Sequence, residues 1–179
     1  MKIGTKSLLF GYHCFFIHPF FVAYSWYKLY GFPYDPRLWF CFFLHDIGYL
    51  GKTYMDDKIA ETHPEVGARI IKFLFGNKWH LFCLLHSRFY AKKLRLNYSK
   101  LCVADKAVIY IIPQWLVLFL YKLTGEYKEY MKLAFDGKYK QMNVADLDII
   151  KWDNNVRTYT KAWVKEHKDL KEDTWIKIT

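Results

Sequence analysis

The chain has 179 residues, 53% of them hydrophobic and 21% aromatic, and carries a formal net charge of +10. That length predicts one domain with a sizeable core, packed largely by Phe, Tyr and Trp. The charge favours an anionic partner without choosing between phosphorylated small molecules, nucleic acid and acidic lipid. The four cysteines (Cys14, Cys41, Cys83, Cys102) form no CxxC pair and sit in apolar sequence, which argues against a zinc ribbon or a disulfide scaffold. They read as buried thiols of a reducing compartment, and the expected location is cytoplasmic.

The pattern predicts an all-α, single-domain helical bundle, with no alternating strand run. A first helix is expected over residues 5–30, stopping at Gly31. Asp35-Pro36 gives an N-cap followed by proline at the first helical position. It opens a very apolar helix, Leu38-Trp39-Phe40-Cys41-Phe42-Phe43-Leu44, which ends on His45-Asp46-Ile47-Gly48. Residues 47–61 read as a loop. Thr62 and Glu65 then fit a capping box for a helix to Phe75, stopped by Gly76-Asn77. A helix over 78–93 carries His80 and His86, and another, capped by Ser99, carries Asp105 to residue 112. Pro113 ends or kinks it, a helix follows over 114–123, and Gly125 breaks the chain again. Residues 126–135 and 153–168 are charged amphipathic stretches, part of a C-terminal helical extension over 126–179. Residues 8–27 and 107–121 are apolar, but His13 and His18 interrupt the first and Pro113-Gln114 the second, so buried helices are expected and no membrane span.

Adjacent ionisable residues in apolar sequence are costly to bury unless paired or bound to a metal. Taken singly, each histidine reads as a core or surface residue. As a set, His18, His45, His63 and His86 fall at the starts or inner faces of successive predicted helices, and Asp46 and Asp105 join them. Mixed imidazole and carboxylate suit Fe, Mn, Co, Ni or Zn rather than Mg alone or Ca. On one continuous helix His13 would point about 140° from His18, and His80 about 120° from His86, so neither pair is expected to face one site. His167 lies in a charged tail and is expected to be solvated.

These residues resemble the HD-domain superfamily of metal-dependent phosphohydrolases. His18-Pro19-Phe20-Phe21-Val22-Ala23 resembles the family's first helix, Leu44-His45-Asp46-Ile47-Gly48 its HD motif, and Val103-Ala104-Asp105-Lys106 the setting of its last aspartate. His63-Pro64-Glu65-Val66-Gly67-Ala68 and Leu85-His86 resemble the two-metal branch that includes the HD-GYP phosphodiesterases. Ser87 stands where that branch has a second histidine, and no Gly-Tyr-Pro segment follows, which argues against cyclic di-GMP as substrate. The resemblance covers residues 10–125.

It implies one metal held by His18, His45, Asp46 and Asp105, with Asp46, the expected catalytic ligand, bridging to a second held by His63 and His86. One or two divalent transition metals per chain would then activate water against phosphorus. Lys52, on a Gly-flanked loop, and Arg88 are the expected substrate-binding cations, with Arg69 and Lys106 behind them and Glu61 and Asp57 as possible ligands or supports. The implied substrate is a small anionic one, a nucleotide or related phosphate ester. The same ligand set resembles HD-type di-iron oxygenases, and a non-catalytic nucleotide-binding module is a third reading. No motif for specific nucleic-acid binding is present, and the oligomeric state is open.

Overall fold

The computed structural model describes residues 1–137 and 148–170, and every secondary-structure element among them is helical. The chain runs α1 (Ile3–Phe10), α2 (His18–Tyr30), α3 (Pro36–Leu44), α4 (Pro64–Phe75), α5 (Asn77–Leu84), α6 (Arg88–Leu94), α7 (Lys100–Ile111), α8 (Gln114–Thr124), α9 (Glu126–Phe135) and α10 (Ile149–His167). Two 3₁₀ turns, Ile47–Tyr49 and Ala60–Thr62, lie between α3 and α4.

The centre of the bundle is α7. Leu101, Cys102, Val103, Ala104, Ala107 and Val108 are all fully buried there, so this helix is covered on nearly every side, as an apolar helix requires. It packs against α2, α5, α8 and α10, while α4 packs against α3 and α5. The start of α3 is as expected: the Asp35 carboxylate accepts from the Arg37 N–H at 2.9 Å, with Pro36 in the first turn. Pro113 separates α7 from α8, and the two cross at 102°. No single helix among the described residues is long and apolar enough to cross a membrane; only this bent pair passes by length and composition. The four cysteines are buried and free.

Three elements depart from the sequence expectation. The first helix is broken over residues 11–17. Gly11 lies against α8, where an added Cβ would sit 2.4 Å from Thr124 Cγ2, and the chain turns at that contact. The helix expected over 78–93 stops at Leu84 and restarts at Arg88, with Ser87 extended between them. Thr62 does not cap α4. Its hydroxyl donates to Ile59 O at 2.8 Å, His63 occupies the cap position, and Glu65 instead accepts from the Tyr90 hydroxyl.

A fourth correction concerns His167, which is fully buried. Its ring stacks on Trp163 at 4.9 Å between centroids, and its Nδ1–H donates to Trp163 O at 2.8 Å. Trp152, Trp163, Val164 and His167 share the inward face of α10 at helical spacing, which the lysines around them conceal in the sequence.

Candidate metal centre

Six side chains from five segments converge on one point. His18 is the first residue of α2, His45 and Asp46 follow the last turn of α3, and His63 immediately precedes α4. His86 lies in the break between α5 and α6, and Asp105 in the middle of α7. All four histidines sit at helix ends, where the local turn fixes how the ring points. The Nδ1–H of His45 donates to Phe42 O at 2.9 Å, that of His63 to Ala60 O at 2.8 Å, and that of His86 to Cys83 O at 2.7 Å. A carbonyl can only accept, so each Nδ1 carries a proton, and in the neutral ring Nε2 presents a lone pair inward.

The inward atoms fall into two groups that share Asp46. His18, His45, Asp46 and Asp105 form one, and Asp46, His63 and His86 the other; within each group the donor atoms lie within 4.8 Å of one another. Asp46 Oδ2 lies 3.2 Å from His45 Nε2 and 3.6 Å from His18 Nε2. Its other oxygen, Oδ1, lies 3.4 Å from His63 Nε2 and 3.6 Å from His86 Nε2. Asp105 Oδ1 is 3.0 Å from His18 Nε2 and 3.7 Å from His45 Nε2.

These residues fit a metal ion on their own chemistry. The Nε2 atoms of His63 and His86 face each other at 3.0 Å, and two lone pairs at that distance repel unless a cation lies between or beside them. His45 Nε2 and Asp46 Oδ2 are buried and, although 3.2 Å apart, make no aligned hydrogen bond with each other or with any other group. Buried polar atoms left in that state are rare and call for an ion or a ligand. The nitrogen and oxygen donor set suits first-row transition metals.

The electrostatics agree. Burial works against charge on His45, but the Asp46 and Asp105 carboxylates outweigh it and raise its pKa well above the ordinary imidazole value. Burial likewise opposes ionisation of Asp46, yet His45 beside it holds it well below the usual carboxylate range, and His18 with His45 does the same for Asp105. Burial pushes His63 down to about 3 against the pull of Asp46, and lowers His18 against Asp105. The buried Asp46 and the partly buried Asp105 carboxylates thus demand positive charge, and without a metal the proton on His45 supplies it.

Metal uptake must displace that proton. A raised pKa keeps it bound at neutral pH, and acidification strengthens it as a competitor. Affinity for Mn²⁺ is therefore expected to rise ~tenfold per pH unit below the His45 pKa, with roughly one proton released per chain. Calorimetric titration in two buffers of different ionisation enthalpy reads this directly; identical heats in both buffers would contradict it.

A cleft of about 800 Å³ opens onto the cluster. Asp46, His63, His86 and Asp105 line it, whereas His18 and His45 lie behind them, each 1% exposed. Of the expected substrate cations, Arg88 lines the cleft, and its guanidinium lies over the Trp163 ring at 5.1 Å. Lys106 lines it too. Lys52 is placed differently: its ammonium donates to Ile59 O at 2.8 Å and to Thr62 Oγ1 at 2.7 Å, and it does not line the cleft. It buttresses the turn that delivers His63. Arg69 pairs with Glu65 on the surface of α4. Glu61 lines the cleft, while the Asp57 carboxylate accepts from the Ala60 N–H at 2.6 Å.

Among the cleft residues not anticipated are Lys92, Tyr49 and His13. Lys92 lies four residues after Arg88, a spacing that puts both on one helix face. Tyr49 stacks on the His63 ring at 4.0 Å with planes 11° apart. His13, expected to point away, lines the cleft with its ring 5.3 Å from that of His18, because the break over 11–17 removes the helical angle between them.

No protein-family model matches the chain, and neither a curated protein nor a solved structure does. Fold and site by themselves define a class: an all-helical protein with two adjoining, preformed His/Asp ligand groups able to hold metal.

Proposed function

We propose that the chain is an HD-type metal-dependent phosphohydrolase acting on a nucleotide or related small phosphate ester. The observation that carries the reading is Asp46, a single carboxylate whose two oxygens face two separate sets of imidazoles. That arrangement fits two-ion chemistry at one substrate. Divalent ions held by His18, His45, Asp46 and Asp105, and by Asp46, His63 and His86, would supply an acidified water and a Lewis acid for phosphoryl oxygens.

The chain's own residues supply the remainder. Arg88, Lys92 and Lys106 set positive charge on the cleft wall, where a phosphate group would bind and where negative charge builds up during transfer. Tyr49 holds the His63 ring from one face, and Lys52 ties down the turn behind it. The Asp46 and Asp105 carboxylates, kept ionised by their imidazole neighbours, remain acceptors at the pH of the cell.

Elemental analysis of the purified protein, with phosphate release from mononucleotides, nucleoside triphosphates and dinucleotides in added Mn²⁺ or Co²⁺, tests the reading. Two transition-metal ions per chain with phosphate release supports it. Bound iron with dioxygen uptake and no phosphate release would replace it with the oxygenase reading, and nucleotide binding without any turnover with the binding-module reading.

A further inference from the structure

The cleft wall is not uniformly polar. Tyr12 from the 11–17 turn, Tyr121 from α8, Tyr130 from α9 and Trp152 from α10 all line it, with Ile109 and Val156 beside them. The four aromatic rings form a continuous series. Tyr12 and Tyr121 have centroids 5.1 Å apart, Tyr121 and Tyr130 5.4 Å, and Tyr130 and Trp152 5.5 Å with planes at 10°. The series starts at the metal ligands, since the Tyr12 ring lies 5.5 Å from that of His18.

Core packing accounts for buried aromatic side chains whose polar atoms are satisfied. Trp152 is not of that kind. It is 3% exposed, it lines the cleft, and its indole Nε1 has no hydrogen-bond partner. A buried N–H without a partner is costly, and a ligand acceptor in the cleft would remove that cost. Aromatic walls favour flat groups that stack or meet them edge-on. The Arg88, Lys92 and Lys106 side chains in the same cleft disfavour a cationic ring.

We propose that Tyr12, Tyr121, Tyr130 and Trp152 form a subsite for a flat, uncharged ring, with the Trp152 N–H donating to an acceptor on the ring's edge. Resting on the phosphohydrolase reading, this makes the substrate a phosphate ester whose alcohol part carries such a ring, a nucleobase or another aryl group. The ring-binding half holds independently of the reaction.

The test is equilibrium dialysis of the metal-loaded full chain with adenosine and with 4-nitrobenzyl alcohol, both uncharged and without phosphate, against ribose as the ringless control. At least one of the two ring probes is expected to bind, and ribose is not. Binding of adenosine alone identifies a nucleobase subsite, and binding of 4-nitrobenzyl alcohol identifies one for aryl groups in general. Trp152→Phe keeps an aromatic ring but removes the N–H together with part of the indole; it is expected to weaken binding ~tenfold, about the worth of one lost hydrogen bond. Val156→Trp fills the chamber from α10 and is expected to abolish binding, with unchanged metal content showing that the chain is folded. Ring probes that bind no better than ribose, or full ring binding by a folded Val156→Trp protein, would overturn the proposal. Ring binding without phosphate release from any ester would overturn the hydrolase reading and leave the subsite standing.

Discussion

Asp46→Ala is expected to strip the chain of metal at both positions at once and to lower turnover by at least ~10³-fold. The reason is geometric. Oδ2 faces His18 and His45, and Oδ1 faces His63 and His86, so no other side chain belongs to both ligand groups. His63→Ala is expected to behave differently, losing the ion of its own group while the group of His18, His45, Asp46 and Asp105 keeps its full donor set. Metal counting by native mass spectrometry separates the two outcomes. Asp46→Asn preserves the side-chain volume, so metal loss in that variant with unchanged helical circular dichroism attributes the effect to the charge. An Asp46→Ala protein that retained metal, or full activity without it, would remove the basis for the whole reading.

Gly67→Ala is expected to destabilise the protein although it places a better helix former inside a helix. In an unencumbered helix that substitution gains ~1 kcal/mol. Here an added Cβ at Gly67 would lie 1.9 Å from Leu44 O. Gly48 makes the reciprocal contact, where a Cβ would lie 2.0 Å from His63 O. The turn bearing His45 and Asp46 is thus pressed backbone to backbone against the start of α4, with a glycine on each side. Forcing them apart costs ~1–3 kcal/mol, enough to lower Tm by ~2–12 °C in a chain of this size. It also separates Asp46 from His63, so metal at the second group should weaken more than at the first. Thermal unfolding and metal counting on the same sample check both parts; a Gly67→Ala protein as stable as the parent would contradict the packing.

Much of the site was open to sequence reasoning, for a physical reason. Charged and polar side chains cannot sit in strongly apolar sequence without partners, so His45-Asp46 after Leu44 and Asp105 inside Val103-Ala104 announce each other. Glycine and proline marked most breaks: Gly31, Pro36, Gly76, Pro113 and Gly125 all stand at helix boundaries. The breaks at 11–17 and 85–87 carry weaker marks. Gly11 is small because Thr124 presses on it, a contact 113 residues away in sequence (124 minus 11) that local pattern does not contain. The second break has neither glycine nor proline and is held by the His86 Nδ1–H bond to Cys83 O. The first hidden turn accounts for the error that matters at the site, since His13 reaches the cleft only because the helix breaks there; the second leaves His86, already expected in the cluster, at a helix end. Lys52 misled in another way. A lysine on a glycine-flanked loop after the motif has the chemistry of a phosphate ligand, but two acceptors on the 59–62 turn claim its ammonium. The buried face of α10 stayed hidden because its apolar residues are spaced among lysines, and the aromatic chamber with it.

The three bonds from His45, His63 and His86 to carbonyls three residues back have a consequence for choosing among ions. Each imidazole takes its aim from a four-residue unit of its own, so the direction of each arm is a property of a short peptide. The bundle contributes only the spacing between arms. Capture then requires little rotamer search, because folding has already spent that entropy. What remains adjustable is the separation of α3, α4 and the α5–α6 turn. A change of packing far from the cluster, in the layer between these helices, would retune which ionic radius fits best without altering a single ligand.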